Sequence, residues 1–197
     1  MKIVIASANL HKVREFRTLL SIFPSWEVHW LSHFPNVVLP EEAGFTFAEN
    51  AIQKALFVAK SLNCYALGDD SGLIVPALNG EPGIFSRRYA GADATDSDNR
   101  KKLLTKMVGL EGEARHAYFE CALALAGPQG LIKSVVATCE GAILDTEKGN
   151  GGFGYDALFV KHDYDKSFAE LSDSIKNRIS HRYKAFERLL PTLHNLR

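Results

Sequence analysis

The chain has no net charge. Lys plus Arg and Asp plus Glu each number 23 among 197 residues, so the formal balance at neutral pH is zero. That disfavours a global electrostatic hold on DNA, RNA or an anionic membrane and leaves only local clusters. No apolar run approaches the roughly 20 residues needed to span a bilayer. Met1-Lys2 is followed by only Ile3–Ala6 before polar residues begin, too short for a secretory core. Cysteine is scarce. Cys64, Cys121 and Cys139 are an odd number, set on apolar, strand-like runs. Buried thiols in a reducing cytoplasm fit this better than a disulfide framework. There is no CxxC and no HExxH, and the seven histidines are scattered, so a zinc site has no support in sequence. The Ser7–Lys12 segment carries neither the GxxxxGKS/T of a P-loop nor the GxGxxG of a dinucleotide fold. Repeats, low-complexity tracts and flexible linkers are absent as well.

What is present is an ordinary globular composition, 46% hydrophobic and 23% charged, which suffices for one large domain or two fused lobes. The most unusual stretch is Gly68-Asp69-Asp70-Ser71-Gly72, between the apolar runs Cys64–Leu67 and Leu73–Val75. Asp, Ser and Gly are common turn formers, so one reading is a polar turn between two strands. The other is a ligand site, because adjacent like charges are costly unless a cation offsets them.

Upstream, Lys2–Ala6 reads as a strand. Ser7-Ala8-Asn9-Leu10-His11-Lys12 reads as a strand-to-helix loop, followed by a helix through Val13, Phe16, Leu19, Leu20 and Phe23 that ends at Pro24. Such a loop offers backbone N–H groups and a positive helix end to an anion. Glu27–Leu31 reads as a second strand. Thr46-Phe47-Ala48-Glu49 has the spacing of a capping box and opens a helix through Ala51, Ala55, Val58 and Leu62. Glu41 and Glu42 precede it and can face a cation or solvent. Lys54 is either an exposed helical lysine or a phosphate contact.

Downstream, Asp93–Asp98 caps a helix running to about Val108. Arg115–Ala126 and Leu131–Glu140 form a long hairpin around Gly127-Pro128-Gln129-Gly130. Gly149-Asn150-Gly151-Gly152-Phe153-Gly154-Tyr155-Asp156 has four glycines in six residues, which lets backbone approach a ligand closely. An aromatic there can stack on a base or anchor the loop. One C-terminal helix is expected from Ile175 through Leu193, with Pro191 kinking or ending it. Lys176, Arg178, His181 and Arg182 sit in its first half, where the helix dipole opposes them. Loops concentrating Glu42, Asp69 and Asp70 on one side and Lys12, Lys54, Lys176 and Arg182 on the other suit a metal–polyphosphate ligand.

Several stretches together resemble the Ham1/RdgB family of inosine/xanthosine triphosphate pyrophosphatases. They are Ser7–Lys12 with Glu15; Glu42-Ala43-Gly44-Phe45-Thr46-Phe47; Glu49-Asn50-Ala51; Asp69-Asp70-Ser71-Gly72-Leu73; Pro82–Ser86 with Arg88–Gly91; Gly151–Asp156; and Ile179-Ser180-His181-Arg182. They follow family order from residue 7 to 182. The resemblance implies an α/β fold, an elongated mixed central β-sheet with flanking helices and two lobes around a substrate cleft. That is the ITPase-like or Maf-Ham1 type, with residues 1–197 forming a single domain of two interleaved lobes. It implies Mg²⁺-dependent hydrolysis of ITP, dITP and XTP to a monophosphate and pyrophosphate, by a cytoplasmic homodimer that binds neither nucleic acid nor membrane.

Carried over by position, the resemblance makes Asp70 the general base and a metal ligand, with Glu42 and Asp69 as further metal-site carboxylates. Ser7, Ala8, Asn9, Leu10, His11 and Lys12 become the substrate loop, Lys54 a phosphate-side lysine and Ser71 a substrate contact. Phe153, Gly154, Tyr155 and Asp156 become the base-binding loop, with Phe153 stacking. Lys176, His181 and Arg182 become substrate contacts, the last two reading the 6-oxo group. Three positions depart from the family pattern: Ser7 for a frequent Thr, Arg87 for a small residue, and Tyr183 for a common Gly. Two alternatives are a Maf-like pyrophosphatase of different base preference and a non-catalytic nucleotide sensor. The first usually carries a Ser-Pro-Arg type loop absent here. The second has no need for the Asp69-Asp70 pair.

Overall fold

The computed structural model describes residues 1–196. Six strands form one mixed sheet in the order β2-β1-β3-β4-β5-β6. They are β1 (Lys2–Ile5), β2 (Glu27–Trp30), β3 (Tyr65–Ile74), β4 (His116–Gly127), β5 (Gly130–Ile143) and β6 (Phe159–Lys161). The helices are α1 (Leu10–Leu20), α2 (Phe47–Leu62), α3 (Asp96–Lys106), α4 (Asp173–Ile179) and α5 (His181–His194). β1 runs parallel to both β2 and β3, whereas β5 and β6 are antiparallel. The two-residue connection Pro128-Gln129 makes β4 and β5 the expected hairpin. Among the described residues no helix is long and apolar enough to cross a membrane.

The chain forms two compact units, interleaved in sequence. The first comprises Met1–Asp70, Cys121–Ala137 and the segment from Arg182 onward; the second comprises Ser71–Glu120 and Thr138–His181. β3, β4 and β5 each contribute residues to both. In the first unit Ile3, Ile5, Phe16, Leu67, Leu123, Phe186 and Leu189 build a core, with Val13, Phe16 and Leu20 supplying the helical stripe of α1. In the second, Leu73, Leu103, Met107, Phe119, Leu158, Phe159 and Phe168 do the same. Phe159 meets Phe119 and Phe168 edge-on, with centroids 4.8 and 5.0 Å apart. Cys64, Cys121 and Cys139 are buried thiols, as expected.

Several expectations need correction. Gly68–Gly72 is not a turn, because β3 runs unbroken from Tyr65 to Ile74. The turn propensity of Asp, Ser and Gly is overridden by burial and by the cations described below. The segment at Ser7–Lys12 is only partly a loop, since Leu10 already starts α1. Asn9 is the N-cap, its Oδ1 accepting from the N–H groups of His11 at 2.9 Å and Lys12 at 3.2 Å. The C-terminal helix is two helices. α4 ends at Ile179, Ser180 is extended (φ −71°, ψ 161°), and α5 begins at His181. Lys176 and Arg178 therefore occupy the last turn of α4, where the dipole favours them. Pro191 neither ends nor borders α5. It is exposed, as is Glu187, so solvent can satisfy the carbonyl that Pro191 leaves without an amide.

The capping box at Thr46 has both halves: Glu49 N donates to Thr46 Oγ1 at 3.1 Å, and Thr46 N donates to the Glu49 carboxylate at 3.2 Å. It orients α2 against β3, and Gly68 sets how close they come. A Cβ on Gly68 would lie 2.1 Å from the Ala51 carbonyl oxygen and 2.8 Å from Ala55 N. Gly68→Ala must therefore push α2 off the strand. We expect a loss of roughly 1–3 kcal/mol in urea unfolding. The side chains that α2 presents to Asp70 should be displaced as well.

Candidate active site

Alternation along β3 sends successive side chains to opposite faces, so Asp69 and Asp70 point apart despite being neighbours. Each meets its own cations. Asp69 faces α1 and α5. Its Oδ1 lies 2.5 Å from Lys12 Nζ, and its Oδ2 lies 3.6 Å from Arg182 Nε and accepts from Cys121 Sγ at 3.3 Å. Arg182 also pairs with Glu15 and stands over the Phe16 ring. Burial alone pushes the Asp69 carboxyl up, but Lys12, Arg182 and Lys54 outweigh it and hold it well below the usual range. The same buried carboxylate joins burial in raising the Cys121 thiol far above an ordinary one.

Asp70 faces α2. Its Oδ1 accepts from Lys54 Nζ at 3.0 Å and its Oδ2 from Asn50 Nδ2 at 3.0 Å. Lys54 also donates to Glu42 Oε1 at 2.9 Å. Asn50 Oδ1 in turn accepts from Gly44 N at 2.9 Å, which ties the Glu42 loop to α2. Burial raises the Asp70 carboxyl. Lys54 and Lys12 pull it down without cancelling that, and Glu42 and Asp69 push it further up. Burial lowers the Lys54 ammonium, but Asp70, Glu42 and Asp69 reverse the sign and raise it. The pair is thus asymmetric: Asp69 is a settled anion, and Asp70 is one whose charge the site only partly offsets.

Among the described residues, no three or more His, Cys, Asp or Glu converge as a metal cage. Glu42 and Asp70 nonetheless direct oxygens at one cation, the Lys54 ammonium. Two carboxylates, with water and phosphate oxygens completing the shell, are the donor set that Mg²⁺ favours. The residues present therefore fit that ion through Glu42 and Asp70. Asp69 stands behind them, engaged by Lys12 and Arg182. Ser7 is buried, and its Oγ accepts from Asn9 N at 3.2 Å. Ala8, Leu10 and His11 are exposed around it.

The second unit carries a separate cluster. Asp156 gathers the 149–156 loop: its Oδ2 accepts from Phe153 N at 2.8 Å and from Lys176 Nζ at 2.5 Å. Gly152, at φ +69°, leaves room for it, since a Cβ there would lie 2.2 Å from that Oδ2. The Lys176 ammonium stands 4.7 Å from the centroid of the half-buried Phe153 ring. Gly154 is pinned at both ends, its N donating to Asp96 at 2.7 Å and its O accepting from Arg100 at 2.8 Å. The Tyr155 hydroxyl donates to the Ser86 carbonyl at 2.9 Å, and burial pushes that phenol up. Tyr155 is therefore a buried anchor. His181 is buried and stacks on Phe119, with centroids 4.7 Å apart and planes 13° apart. Ser71 is half-buried in the same unit. The break at Ser180 explains how Lys176 and His181, five residues apart, need not share one helix face.

Three supporting roles went unassigned in sequence. Asn50 lies one turn before Lys54 on α2, so the i,i+4 rule could have brought it to Asp70. Glu15, by contrast, meets Arg182 across 167 residues. Asp96 stands in the first turn of α3, as expected of a helix-capping acid, and also holds the glycine loop.

Removing Arg182 leaves buried carboxylates short of a partner. Arg182→Leu should cost roughly 3–5 kcal/mol in urea unfolding at neutral pH. Because Asp69 is lowered in the fold, its stabilisation is complete above its unfolded pKa of about 4 and fades below it. The deficit of Arg182→Leu should therefore shrink on going below about pH 4.

The Ham1 family model matches residues 3–192. A dITP/XTP pyrophosphatase of Protochlamydia amoebophila is 57% identical over 198 residues, covering all of both chains. Another of Chlamydia caviae is 50% identical over 197 residues, covering all of this chain and 96% of that one. The solved Ham1 protein of Staphylococcus aureus superposes with a TM-score of 0.88 at 43% identity, covering 98% of each chain. A dITP/XTP pyrophosphatase of Mycobacterium abscessus superposes at 0.78 and 36% identity, covering 98% of this chain and all of that one. Sequence motifs in order, a family match across nearly the whole chain and a shared fold agree: the chain belongs to the Ham1 family.

Proposed function

We propose that this chain is a nucleoside triphosphate pyrophosphatase that hydrolyses deaminated purine nucleotides, dITP, ITP and XTP, to the monophosphate and pyrophosphate. The observation that carries the reading is Asp70: a buried carboxylate with a raised pKa, touched by an ammonium that it shares with Glu42. Relatives of full length and 50–57% identity bear the name dITP/XTP pyrophosphatase. The cofactor in this reading is Mg²⁺, held by Glu42 and Asp70 with Asp69 in support. When bound, it would neutralise charge on the phosphate oxygens.

Asp70 acts as the general base. A carboxylate whose basicity is raised by burial takes a proton from water more readily than an ordinary aspartate. The water oxygen bonds to the α-phosphorus, the bond from that phosphorus to the bridging oxygen breaks, and pyrophosphate leaves. Asn50 and Lys54 fix the Asp70 carboxylate during this step. Lys12, Lys54 and the N-terminus of α1, with Ser7 and Asn9, meet the triphosphate. Phe153 stacks on the purine, with Lys176 over its opposite face and Asp156 holding both. His181 and Arg182 read the 6-oxo group. Adenine presents an amino donor there, which leaves protein donors unpaired and is rejected. Ser71 and the backbone of Gly154 complete the substrate contacts, and the enzyme works as a cytoplasmic homodimer.

Incubation with Mg²⁺ and ITP, dITP, XTP, GTP, ATP or dTTP, followed by identification of the phosphate product, tests this. Pyrophosphate from the first three, with much slower turnover of the others, is expected. Asp70→Asn should lower kcat at least 10²-fold while nucleotide binding persists. Orthophosphate as the direct product, or nucleotide binding without turnover at every Mg²⁺ concentration, would contradict it. A Maf-like preference would show instead as faster turnover of dTTP.

A further inference from the structure

We propose that His29 and His33 form a second cation site, a two-imidazole chelate for a late first-row divalent ion such as Ni²⁺, Cu²⁺ or Zn²⁺. β2 ends at Trp30, and a single 3-10 turn, Leu31–His33, reverses the chain. Phe34 N donates to Leu31 O at 2.8 Å and closes that turn. The reversal brings the two Nδ1 atoms to 3.1 Å, with ring centroids 5.4 Å apart and planes at 80°. Two imidazole nitrogens, each about 2.0–2.1 Å from one ion and subtending roughly 100°, are themselves about 3.1 Å apart. Without metal the 3.1 Å contact between the two Nδ1 atoms is a hydrogen bond in which one Nδ1–H donates to the other Nδ1. Ligation needs both rings in the Nε2–H tautomer, so the donor ring's proton moves to its own Nε2 and none is lost overall. In His29 that Nε2 lies 3.9 Å from the Glu27 carboxylate, beyond hydrogen-bond reach, so Glu27 contributes a nearby negative charge and no direct bond to the far nitrogen. His33 packs on Trp30, with centroids 3.8 Å apart, which holds its ring in position.

The surroundings select the class of ion. Arg17 stands 4.7 Å from the Trp30 ring centroid and Lys2 4.8 Å from that of Phe34, two cations beside one carboxylate. Net charge therefore attracts no cation here, and recognition rests on coordinate bonds to nitrogen. Imidazole suits Ni²⁺, Cu²⁺ and Zn²⁺, whereas Mg²⁺ and Ca²⁺ require oxygen ligands. Among the described residues no third side chain completes the shell, so water fills the remaining positions. β2 is an edge strand and His33 is exposed, which gives the ion access. The chain thus keeps two cation sites of different chemistry, carboxylates at Glu42 and Asp70 and imidazoles at His29 and His33.

Calorimetric titration of the full, untagged chain with Ni²⁺ alone, repeated in excess Mg²⁺, tests the proposal. One saturable site that Mg²⁺ does not displace is expected. His29→Gln and His33→Gln should each weaken it about tenfold or more, since even the loss of an outer-shell partner costs 10–100-fold. Glu27→Gln should weaken it by a smaller factor. Melting temperatures without metal identify any variant that has lost its fold, and the other histidine variant then decides. Absence of saturable binding by the native chain at millimolar Ni²⁺, or equal affinity in folded His29→Gln or His33→Gln, overturns the proposal.

Discussion

The two-residue period of β3 is the constraint on which the site depends. Adjacent aspartates on a loop would share one environment and repel. On a strand they face opposite sides, and each is met by a lysine from a different helix. Lys12 comes from the first turn of α1 and Lys54 from the second turn of α2. The repulsion that makes the pair look costly in sequence is thereby divided between two sets of cations. The division is unequal. Asp69 receives an arginine as well and lies far below its ordinary pKa, whereas Asp70 lies above it. In this account one carboxylate holds helices to the sheet and the other is left for a metal and a water.

Packing delivers that geometry. Ala51 and Ala55 on α2 and Gly68 on β3 are small enough for helix and strand to approach closely, and the capping box at Thr46 sets where α2 begins. Asn50 and Lys54, one helical turn apart, then fall on Asp70. The glycine beside the acidic pair thus serves helix packing rather than a turn. A comparable economy operates at Asp156, where one carboxylate fixes a backbone N–H, an ammonium and, through them, the Phe153 ring.

Much of this was legible in sequence, and the exceptions share a cause. The capping box, the long hairpin, the stripe of α1 and the buried thiols are local patterns, and the structure has them. The Asp-Asp-Ser turn failed because its propensities are local while its partners are remote: Lys54 is 16 residues away and Arg182 more than a hundred. Ser180 is a weak local signal of a helix break, since serine favours an N-cap over a helix interior, and the apolar stripe continuing on both sides of it outweighs that signal. The basic residues before it oppose the dipole only in a single continuous helix; at the end of α4 they complement it. Motif order pointed to the family, yet it could not divide the labour between Asp69 and Asp70, which required the strand direction and the cations on each face.

Metal-free urea unfolding of Asp69→Asn and Asp70→Asn, side by side at neutral pH, separates the roles of the two aspartates. Neutralising the settled anion removes an interaction the fold relies on. Neutralising Asp70 removes a charge that the fold disfavours. A clear fall in unfolding midpoint is expected for Asp69→Asn and an unchanged or raised midpoint for Asp70→Asn. Equal destabilisation by both substitutions, or a larger loss at Asp70, would contradict that division of roles.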